Sequence, residues 1–336
     1  MSSAALSIDH IESELRRIAP HIDTRMLAAE RKPRVAVLLP CLNEASAIAS
    51  VVASFKKSLP DATIYVYDNN STDGTAEIAR AAGAIVRHER LPGKGNVVRR
   101  MFADIDADIY LLSDGDLTYD ASRAPELVGA IAERDLDMIV GARDGGGEKA
   151  YRRGHRLGNR LFNVVLERLF GSAFKDIFSG YRAFSRRFVK SFPASASGFE
   201  TEAELTIHAL DLRLATDEVA LPYGARPADS KSKLRTYRDG ARIMWTIARM
   251  YYALYPMRVL GSVGIGLTLL SLAIGGPVVV EYFQTGLVPK FPRAILAAAL
   301  MQLSWLSFAC GIIVQAISGT RRELKRMRYL DLPGVR

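Results

Sequence analysis

Short apolar runs alternate with amphipathic stretches through the first part of the chain. Residues 35–39, 63–67 and 109–112 have the length and the β-branched or aromatic content of buried strands. Residues 47–57 and 94–105 instead repeat apolar positions with helical spacing. Short strands that alternate with helices are typical of a mostly parallel sheet covered on both faces. The pattern therefore predicts an α/β domain.

Towards the C-terminus the alternation gives way to two long apolar runs. Residues 259–280 and 294–319 contain no charged side chain, and each run exceeds the roughly 18 to 20 residues that cross a bilayer core. The connecting segment, 281–293, is short and holds two prolines. A buried helical hairpin is the alternative, but two such runs so close together favour two membrane spans. We therefore expect a transmembrane hairpin.

Charge is distributed unevenly around these two runs. The chain has a net charge of +9, and basic residues are concentrated just before the first run and just after the second. The basic residues of the connecting segment are only Lys290 and Arg293. By the positive-inside rule both flanks are cytoplasmic, and anionic lipid headgroups account for much of the positive charge. Nucleic acid is not an expected partner, because the sequence contains no nucleic-acid-binding motif.

Polar residues cluster directly after the predicted strands. Asp114 and Asp116 follow one strand, and Asn43, Asp68 and Arg143 follow others. The carboxyl ends of parallel strands meet at one edge, where ligands bind in open α/β sheets. Two carboxylates there can hold Mg²⁺ or Mn²⁺ and leave coordination positions for phosphate oxygens. Turn and capping interactions are the alternative for each residue taken singly.

Six short motifs follow one another through this region, and their order is more specific than any one of them. They are Pro40-Cys-Leu-Asn-Glu44, Asp68-Asn-Asn-Ser-Thr-Asp-Gly-Thr75, Gly93-Lys-Gly95, Asp114-Gly-Asp116, Gly141-Ala-Arg143 and Asp176-Ile-Phe-Ser-Gly-Tyr-Arg182. In this order they resemble the family-2 glycosyltransferases of the GT-A fold. Within that family the chain looks most like the polyprenyl-phosphate glycosyltransferases, the group that includes dolichol-phosphate mannose synthase. The likeness covers residues 34–238, and the two spans match the membrane-anchored members.

The resemblance implies a GT-A fold, which is a Rossmann-like, mostly parallel α/β sheet covered by helices, followed by a two-helix transmembrane hairpin. The expected divisions are an N-terminal amphipathic helix (1–33), a catalytic domain (34–235), amphipathic juxtamembrane helices (236–258), two transmembrane helices (259–320) and a basic cytoplasmic tail (321–336). Residues 1–33 lack the apolar core of a signal peptide. The expected location is the cell inner membrane, as a multi-pass protein with its catalytic domain in the cytoplasm.

The resemblance also implies the ligands and the residues that hold them. The donor is a nucleotide-sugar, the cofactor is Mg²⁺ or Mn²⁺, and the acceptor is a polyprenyl phosphate. Asp114 and Asp116 would bind the metal and the donor, while Asp176 would position the acceptor or act as a base. The donor would be bound by Pro40, Asn43, Glu44, Asp68, Asp73, Lys94, Arg226 and Lys233, and the acceptor phosphate by Arg143, Arg152 and Arg156.

Two positions depart from the mannose-synthase pattern. The dolichol enzymes often carry Gln where this chain has Thr118, and the family often carries Ser where this chain has Arg156. These departures favour UDP over GDP as the nucleotide, and the sugar stays open.

Elsewhere, helical spacing places Glu200 and Glu204 on one face, so at least one is expected to be exposed. Arg182 or His208 is the expected partner of these acids, in a structural role.

The expected activity is inverting transfer of a sugar from the nucleotide to the lipid phosphate. The acceptor phosphate is mostly dianionic at neutral pH and needs no strong general base. A processive polysaccharide synthase is one alternative, although Gln302-Leu-Ser-Trp305 lies inside a span and lacks the Arg of that class's acceptor motif. A catalytically inert membrane scaffold with a nucleotide-binding fold is another. Related anchored enzymes with paired spans include tetramers, so a homo-oligomer is a further expectation.

Overall fold

The structure is a computed structural model that describes residues 32–144, 174–198, 200–224 and 236–335. Almost all of the predicted N-terminal helix (1–33) lies outside these residues, as do residues 145–173 and 225–235. Inside them, the predicted strands and helices occur in the predicted order.

The strands form one seven-stranded sheet in the order β3-β2-β1-β4-β6-β5-β7. Neighbouring strands are parallel, except that β6 runs antiparallel to both β4 and β5. The carboxyl ends of the parallel strands therefore meet at one edge of the sheet, called the site edge below. The strands are β1 (Val35–Cys41), β2 (Thr63–Asp68), β3 (Ile85–His88), β4 (Ile109–Leu112), β5 (Met138–Asp144), β6 (Arg182–Ser185) and β7 (Thr216–Pro222).

Helices cover both faces of this sheet, as the near-continuous apolar strands predict. Alternate residues of β1 point to opposite faces: Val37 and Leu39 belong to one buried apolar cluster, Ala36 and Leu38 to the other. The helices of the α/β domain are α1 (Ile48–Ser58), α2 (Thr75–Ala81), α3 (Lys94–Asp104), α4 (Ala124–Glu133), α5 (Arg186–Ser191) and α6 (Thr201–Leu212).

Three helices follow the sheet: α7 (Thr236–Leu254), α8 (Pro256–Thr285) and α9 (Phe291–Leu330). By length and composition α8 and α9 are long and apolar enough to cross a membrane, and only 17% of the most apolar window of each is buried. Hydroxyl groups bond across the pair, since Ser304 donates to the Gly264 carbonyl at 2.8 Å and Ser271 donates to that of Ala297 at 2.7 Å. Such small polar residues let apolar helices approach closely. A hairpin buried inside a soluble core does not fit this exposure.

The last helix extends well beyond its apolar part. Residues 321–330, which the sequence places in a basic tail, continue α9 without a break. They contact the α/β domain at two buried carboxylates, Asp137 and Asp211. The α/β domain and the apolar hairpin are therefore joined at both α7 and α9.

Candidate functional site

The loops that follow β1 and β2 are joined by hydrogen bonds. Asn43 Oδ1 accepts the N–H of Thr72 at 2.8 Å, and Asp73 Oδ2 accepts the N–H of Ala45 at 3.0 Å. Burial raises the pKa of Asp73, but the Thr75 hydroxyl and the Ala45 N–H lower it more, so that it lies below its ordinary value. Two of the sequence motifs are thus held together by their own polar side chains.

Asp68 ends β2 and is buried. Its Oδ2 lies 3.2 Å from the N–H of Ser71 and 3.2 Å from His88 Nδ1. Its Oδ1 has no hydrogen-bond partner in the described part of the chain. With Ser71, Gly74 and His88 it lines a cavity of about 360 Å³. A buried carboxylate oxygen without a donor is destabilising, and an N–H group of a ligand would satisfy it.

The first carboxylate of the acidic pair shares a buried lysine with a third acid. Lys94 Nζ, at the start of α3, lies 2.6 Å from Asp114 Oδ1 and 2.7 Å from Glu202 Oε1. Burial lowers the pKa of Lys94, but the two carboxylates raise it above its ordinary value. Sequence reasoning did not assign Glu202, because nothing in the spacing distinguishes it from Glu200 and Glu204. Only the fold brings it to the site edge.

The second carboxylate lies deeper than the first. Asp116 is buried, and its Oδ1 accepts the Thr118 hydroxyl at 2.5 Å and the Thr118 N–H at 3.2 Å. Asp114 is partly exposed. Between them, a Cβ atom on Gly115 would lie 2.6 Å from Cys41 Sγ, so the turn contacts the end of β1 directly. Thr118 therefore orients Asp116 through its side chain and its backbone.

Gly180, in the segment just before β6, lies close to Asp114 of the acidic pair. A Cβ atom on Gly180 would lie 2.9 Å from Asp114 Oδ2 and 3.0 Å from Lys94 Nζ. The N–H of Gly180 is donated to the hydroxyl of Tyr119 at 2.9 Å. A side chain at this glycine would therefore have to displace the charged groups of Asp114 and Lys94.

Arg143 and Asp176 form a bidentate ion pair at the same edge. Arg143 donates to Asp176 from Nε at 2.6 Å and from Nη2 at 2.7 Å, and its guanidinium lies 5.5 Å from the centre of the Tyr223 ring. Burial raises the pKa of Asp176, but the bonds from Arg143 outweigh it, and the net pKa is below its ordinary value. The Asp176 N–H is donated to Glu218 Oε1 at 2.8 Å. Asp176 is therefore an ionised partner of Arg143.

The expectation that Glu200 or Glu204 is exposed is wrong, since both are buried. Glu204 accepts the N–H groups of Ser195 and Ala196, each at 2.8 Å, and these bonds satisfy it inside the protein. The buried Arg182 donates hydrogen bonds to the carbonyls of Ile177 and Ser179 in the preceding loop and to the Thr206 hydroxyl of α6.

Other predicted site residues fall into two groups. Pro40 lies in β1 opposite Tyr67, and Glu44 is buried with its N–H donated to Thr75 Oγ1 at 2.9 Å. Both are at the site edge. The second group lies outside the described residues and comprises Arg152, Arg156, Arg226 and Lys233.

The acidic pair can supply part of a metal site. Within the described ranges, no group of three or more His, Cys, Asp or Glu side chains is placed to hold a metal ion. Asp114 and Asp116 provide two carboxylates, which suits an ion such as Mg²⁺ that completes its shell with waters and substrate phosphates. They do not suit zinc, which takes three or four protein ligands. The donor set therefore fits the predicted Mg²⁺ or Mn²⁺.

Comparison with known proteins identifies relatives of this fold and site. The family described as glycosyl transferase family 2 matches residues 36–192. Glycosyltransferase AglJ of Haloferax volcanii is 32% identical over 301 residues, which make up 88% of this chain and 98% of AglJ. A dolichyl-phosphate hexose transferase of the same organism is 28% identical over 216 residues, 64% of this chain and 93% of that relative.

A solved structure shares the architecture. Glucosyl-3-phosphoglycerate synthase from Mycobacterium tuberculosis, in complex with Mn²⁺, UDP-glucose and phosphoglyceric acid, has a TM-score of 0.56 and 26% sequence identity, and the match covers 74% of this chain and 85% of the synthase. The GT-A-like fold predicted from the order of the motifs is thus confirmed. With its motifs assembled at one sheet edge and a relative matched over nearly its whole length, the chain is a glycosyltransferase that belongs to glycosyl transferase family 2.

Proposed function

We propose that this glycosyltransferase transfers a sugar from a nucleotide-sugar, with UDP favoured over GDP, to a polyprenyl phosphate at the cytoplasmic face of the inner membrane. The observation that carries the proposal is the connection between the site edge and the apolar hairpin. Ile247 of α7 packs with Ile177, the neighbour of Asp176, in one apolar cluster. Helix α7 ends at Leu254 and α8 begins at Pro256. An acceptor with its tail in the bilayer and its phosphate at the surface suits this arrangement.

The relatives support both substrates. The similarity to a dolichyl-phosphate hexose transferase supports a lipid phosphate as the acceptor. The similarity to a synthase solved with Mn²⁺, UDP and glucosyl-3-phosphoglycerate supports a uridine nucleotide and a divalent ion on the donor side. In this chain the buried Oδ1 of Asp68 offers an acceptor for an N–H of the base.

The donor diphosphate would lie at the acidic pair. Bound there by Asp114 and Asp116, Mg²⁺ or Mn²⁺ would supply positive charge to the departing nucleoside diphosphate. Lys94 Nζ lies 2.6 Å from Asp114 Oδ1, so this carboxylate has a fixed position before any ligand binds. Such prior ordering reduces the reorganisation required when charge develops on the leaving group.

The acceptor phosphate would lie on Arg143. Asp176 fixes the plane of its guanidinium by two hydrogen bonds, and Tyr223 lies against it. Because the pKa of Asp176 is lowered, its carboxylate is a weak base, and we assign it to orienting Arg143. A dianionic phosphate oxygen attacks the anomeric carbon without losing a proton, while the bond to the nucleoside diphosphate breaks on the opposite face. The anomeric configuration is therefore inverted.

Incubation of the purified full-length protein with undecaprenyl phosphate and a panel of UDP- and GDP-sugars tests this proposal. The expected result is one lipid product whose mass, measured by mass spectrometry, equals that of undecaprenyl phosphate plus a single sugar residue. Omitting the lipid phosphate is the control. Binding of the nucleotide-sugar without any product would indicate an inert scaffold, and a ladder of longer products would indicate a polymerising synthase. Either result contradicts the proposal.

A further inference from the structure

Residues 320–330, here called the α9 extension, attach the apolar hairpin to the catalytic domain through two buried acids. Arg322 Nε donates to Asp211 Oδ1 at 2.6 Å, and Lys325 Nζ lies 3.1 Å from Asp211 Oδ2. The Tyr329 hydroxyl donates to Asp137 Oδ2 at 2.8 Å. The side chains of both acids are only 1% exposed. Removing the partner of a buried carboxylate leaves an uncompensated charge, so these attachments resist separation.

The catalytic domain holds Asp137 from the other side. Arg187 Nε donates to Asp137 Oδ1 at 2.7 Å, and the Ser185 hydroxyl donates to the same oxygen at 2.8 Å. The Arg187 guanidinium also lies 4.9 Å from the centre of the Tyr329 ring. Asp137 Oδ1 therefore accepts hydrogen bonds from the catalytic domain, and Asp137 Oδ2 accepts one from the α9 extension.

Both acids lie at the sheet edge opposite the site edge. Asp137 directly precedes β5, and Asp211 lies in the last turn of α6, just before β7 begins. Helix α9 also contacts α7, and its extension bonds to Asp211 through Arg322 and Lys325 and to Asp137 through Tyr329. The extension is therefore attached to the catalytic domain at this opposite edge.

We propose that Asp137 and Asp211 are positioning residues. Through the α9 extension they hold the catalytic domain, and with it Arg143 and Asp176, in a fixed position relative to the apolar hairpin. This inference rests on the proposed function, and it deepens it: the enzyme is built for a phosphate presented by a bilayer rather than one in free solution. Loss of the attachment leaves the chemistry intact and removes this fixed position. Reaction with a membrane-embedded acceptor then falls, while reaction with a short, water-soluble prenyl phosphate persists.

A triple variant of the α9 extension tests this inference. Arg322→Ala/Lys325→Ala/Tyr329→Phe removes the bonds to both acids. The matched control is Arg321→Ala/Arg326→Ala, which removes two positive charges from exposed positions of the same helical stretch. Each full-length protein is assayed with long-chain polyprenyl phosphate in liposomes and with a short-chain, water-soluble prenyl phosphate in detergent.

The expected result is a fall of roughly tenfold to a hundredfold in kcat/KM for the liposome acceptor, because small displacements of a reacting group have effects of this size. For the triple variant, kcat/KM for the soluble acceptor and the Kd for UDP stay within about twofold of wild type, and the control resembles wild type with both acceptors. An unchanged ratio between the two acceptors overturns the inference. So does an equal loss with both, which indicates a purely structural role. A wild-type protein that is inactive with both acceptors contradicts the proposed function itself.

Discussion

Arg143 and Asp176 form two parallel hydrogen bonds of 2.6 and 2.7 Å at the site edge, although 33 positions separate them along the chain. Arg143 lies next to the last residue of β5, and Asp176 begins the last of the six motifs. A bidentate pair of this type fixes the guanidinium plane as well as its position. The pair therefore joins two separate motifs and holds the Arg143 guanidinium in one orientation.

Asp176→Asn tests the orienting role of this pair. The amide keeps the size of the side chain but loses one acceptor and its charge, so Arg143 is held less firmly. We expect kcat/KM for the prenyl phosphate to fall by roughly tenfold to a hundredfold, while the Kd for the nucleotide, measured by calorimetry, stays unchanged. Glu126→Gln, which breaks the exposed pair with Arg123, is the control. Unchanged acceptor kinetics for Asp176→Asn would refute the assignment.

Asp116→Asn tests the acidic pair. The amide oxygen can still accept the hydrogen bonds from Thr118, so the turn is retained, but the negative charge is lost. We expect turnover to fall about a thousandfold, the size of effect seen when one preorganised electrostatic contact is lost. Membrane insertion and Tm should be unchanged. Asp120→Asn, at an exposed acid that caps a short helical turn, should retain wild-type activity. Full turnover by Asp116→Asn would show that this carboxylate is not a metal ligand.

The lysine shared by Asp114 and Glu202 is expected to be a stability determinant. Lys94→Met leaves two acids without their common cation, at a cost of about 3–5 kcal/mol in the free energy of unfolding. Adding Glu202→Gln removes one of the two charges and should recover part of this loss. Denaturant unfolding of the two single variants and the double variant gives the coupling energy. Simple additivity of the single effects would contradict the shared ion pair.

Two glycine-to-alanine substitutions form a matched pair. At Gly180 the added methyl group would lie 2.9 Å from Asp114 Oδ2, so activity should be lost by displacement of the carboxylate. At Gly129, inside α4, it would meet only Glu133, at 3.6 Å, and helix propensity predicts a gain of about 0.5–1 kcal/mol. Activity and Tm of both variants are the measurements. Wild-type activity in Gly180→Ala would show that the segment can move away.

A buried histidine should make stability depend on pH. Burial, with a smaller contribution from Lys325 and against the opposing effect of Asp211, lowers the pKa of His208 to about 3. The folded protein therefore keeps this ring neutral while the unfolded chain protonates it below about pH 6.5. Its contribution is present above that pH and is lost as the pH falls, by about 2 kcal/mol at pH 5. His208→Gln should flatten the fall in Tm between pH 7 and pH 5, and an unchanged slope would contradict this origin.

Sequence reasoning predicted the sheet well because its strands are short, apolar and separated by clear helical spacing. It also predicted the site edge, since Asp68, Asp114 and Arg143 each lie at or just beyond the carboxyl end of a strand and parallel strands end on the same side. It did not predict that β6 runs antiparallel. Residues 182–185 begin with an arginine that is buried and bonded to its own loop, so they lack the profile of a strand.

Two further features could not be predicted from the pattern of residues in the sequence. Helix α6 is buried on nearly every side, so its periodicity does not show that Glu202 faces the site edge. The positive-inside rule assigns the basic residues after the second apolar run to lipid headgroups. It does not detect that Arg322 pairs with Asp211, an acid 111 positions earlier. Both contacts depend on distant segments that only the folded chain brings together.

The absence of a side chain at position 180 also limits how this enzyme can diversify. The backbone there lies against Asp114 and Lys94, so an added side chain has to displace one of these charged groups before it can contact a sugar. We therefore expect sugar preference to change more readily through the neighbouring loops, and engineering of it should begin there.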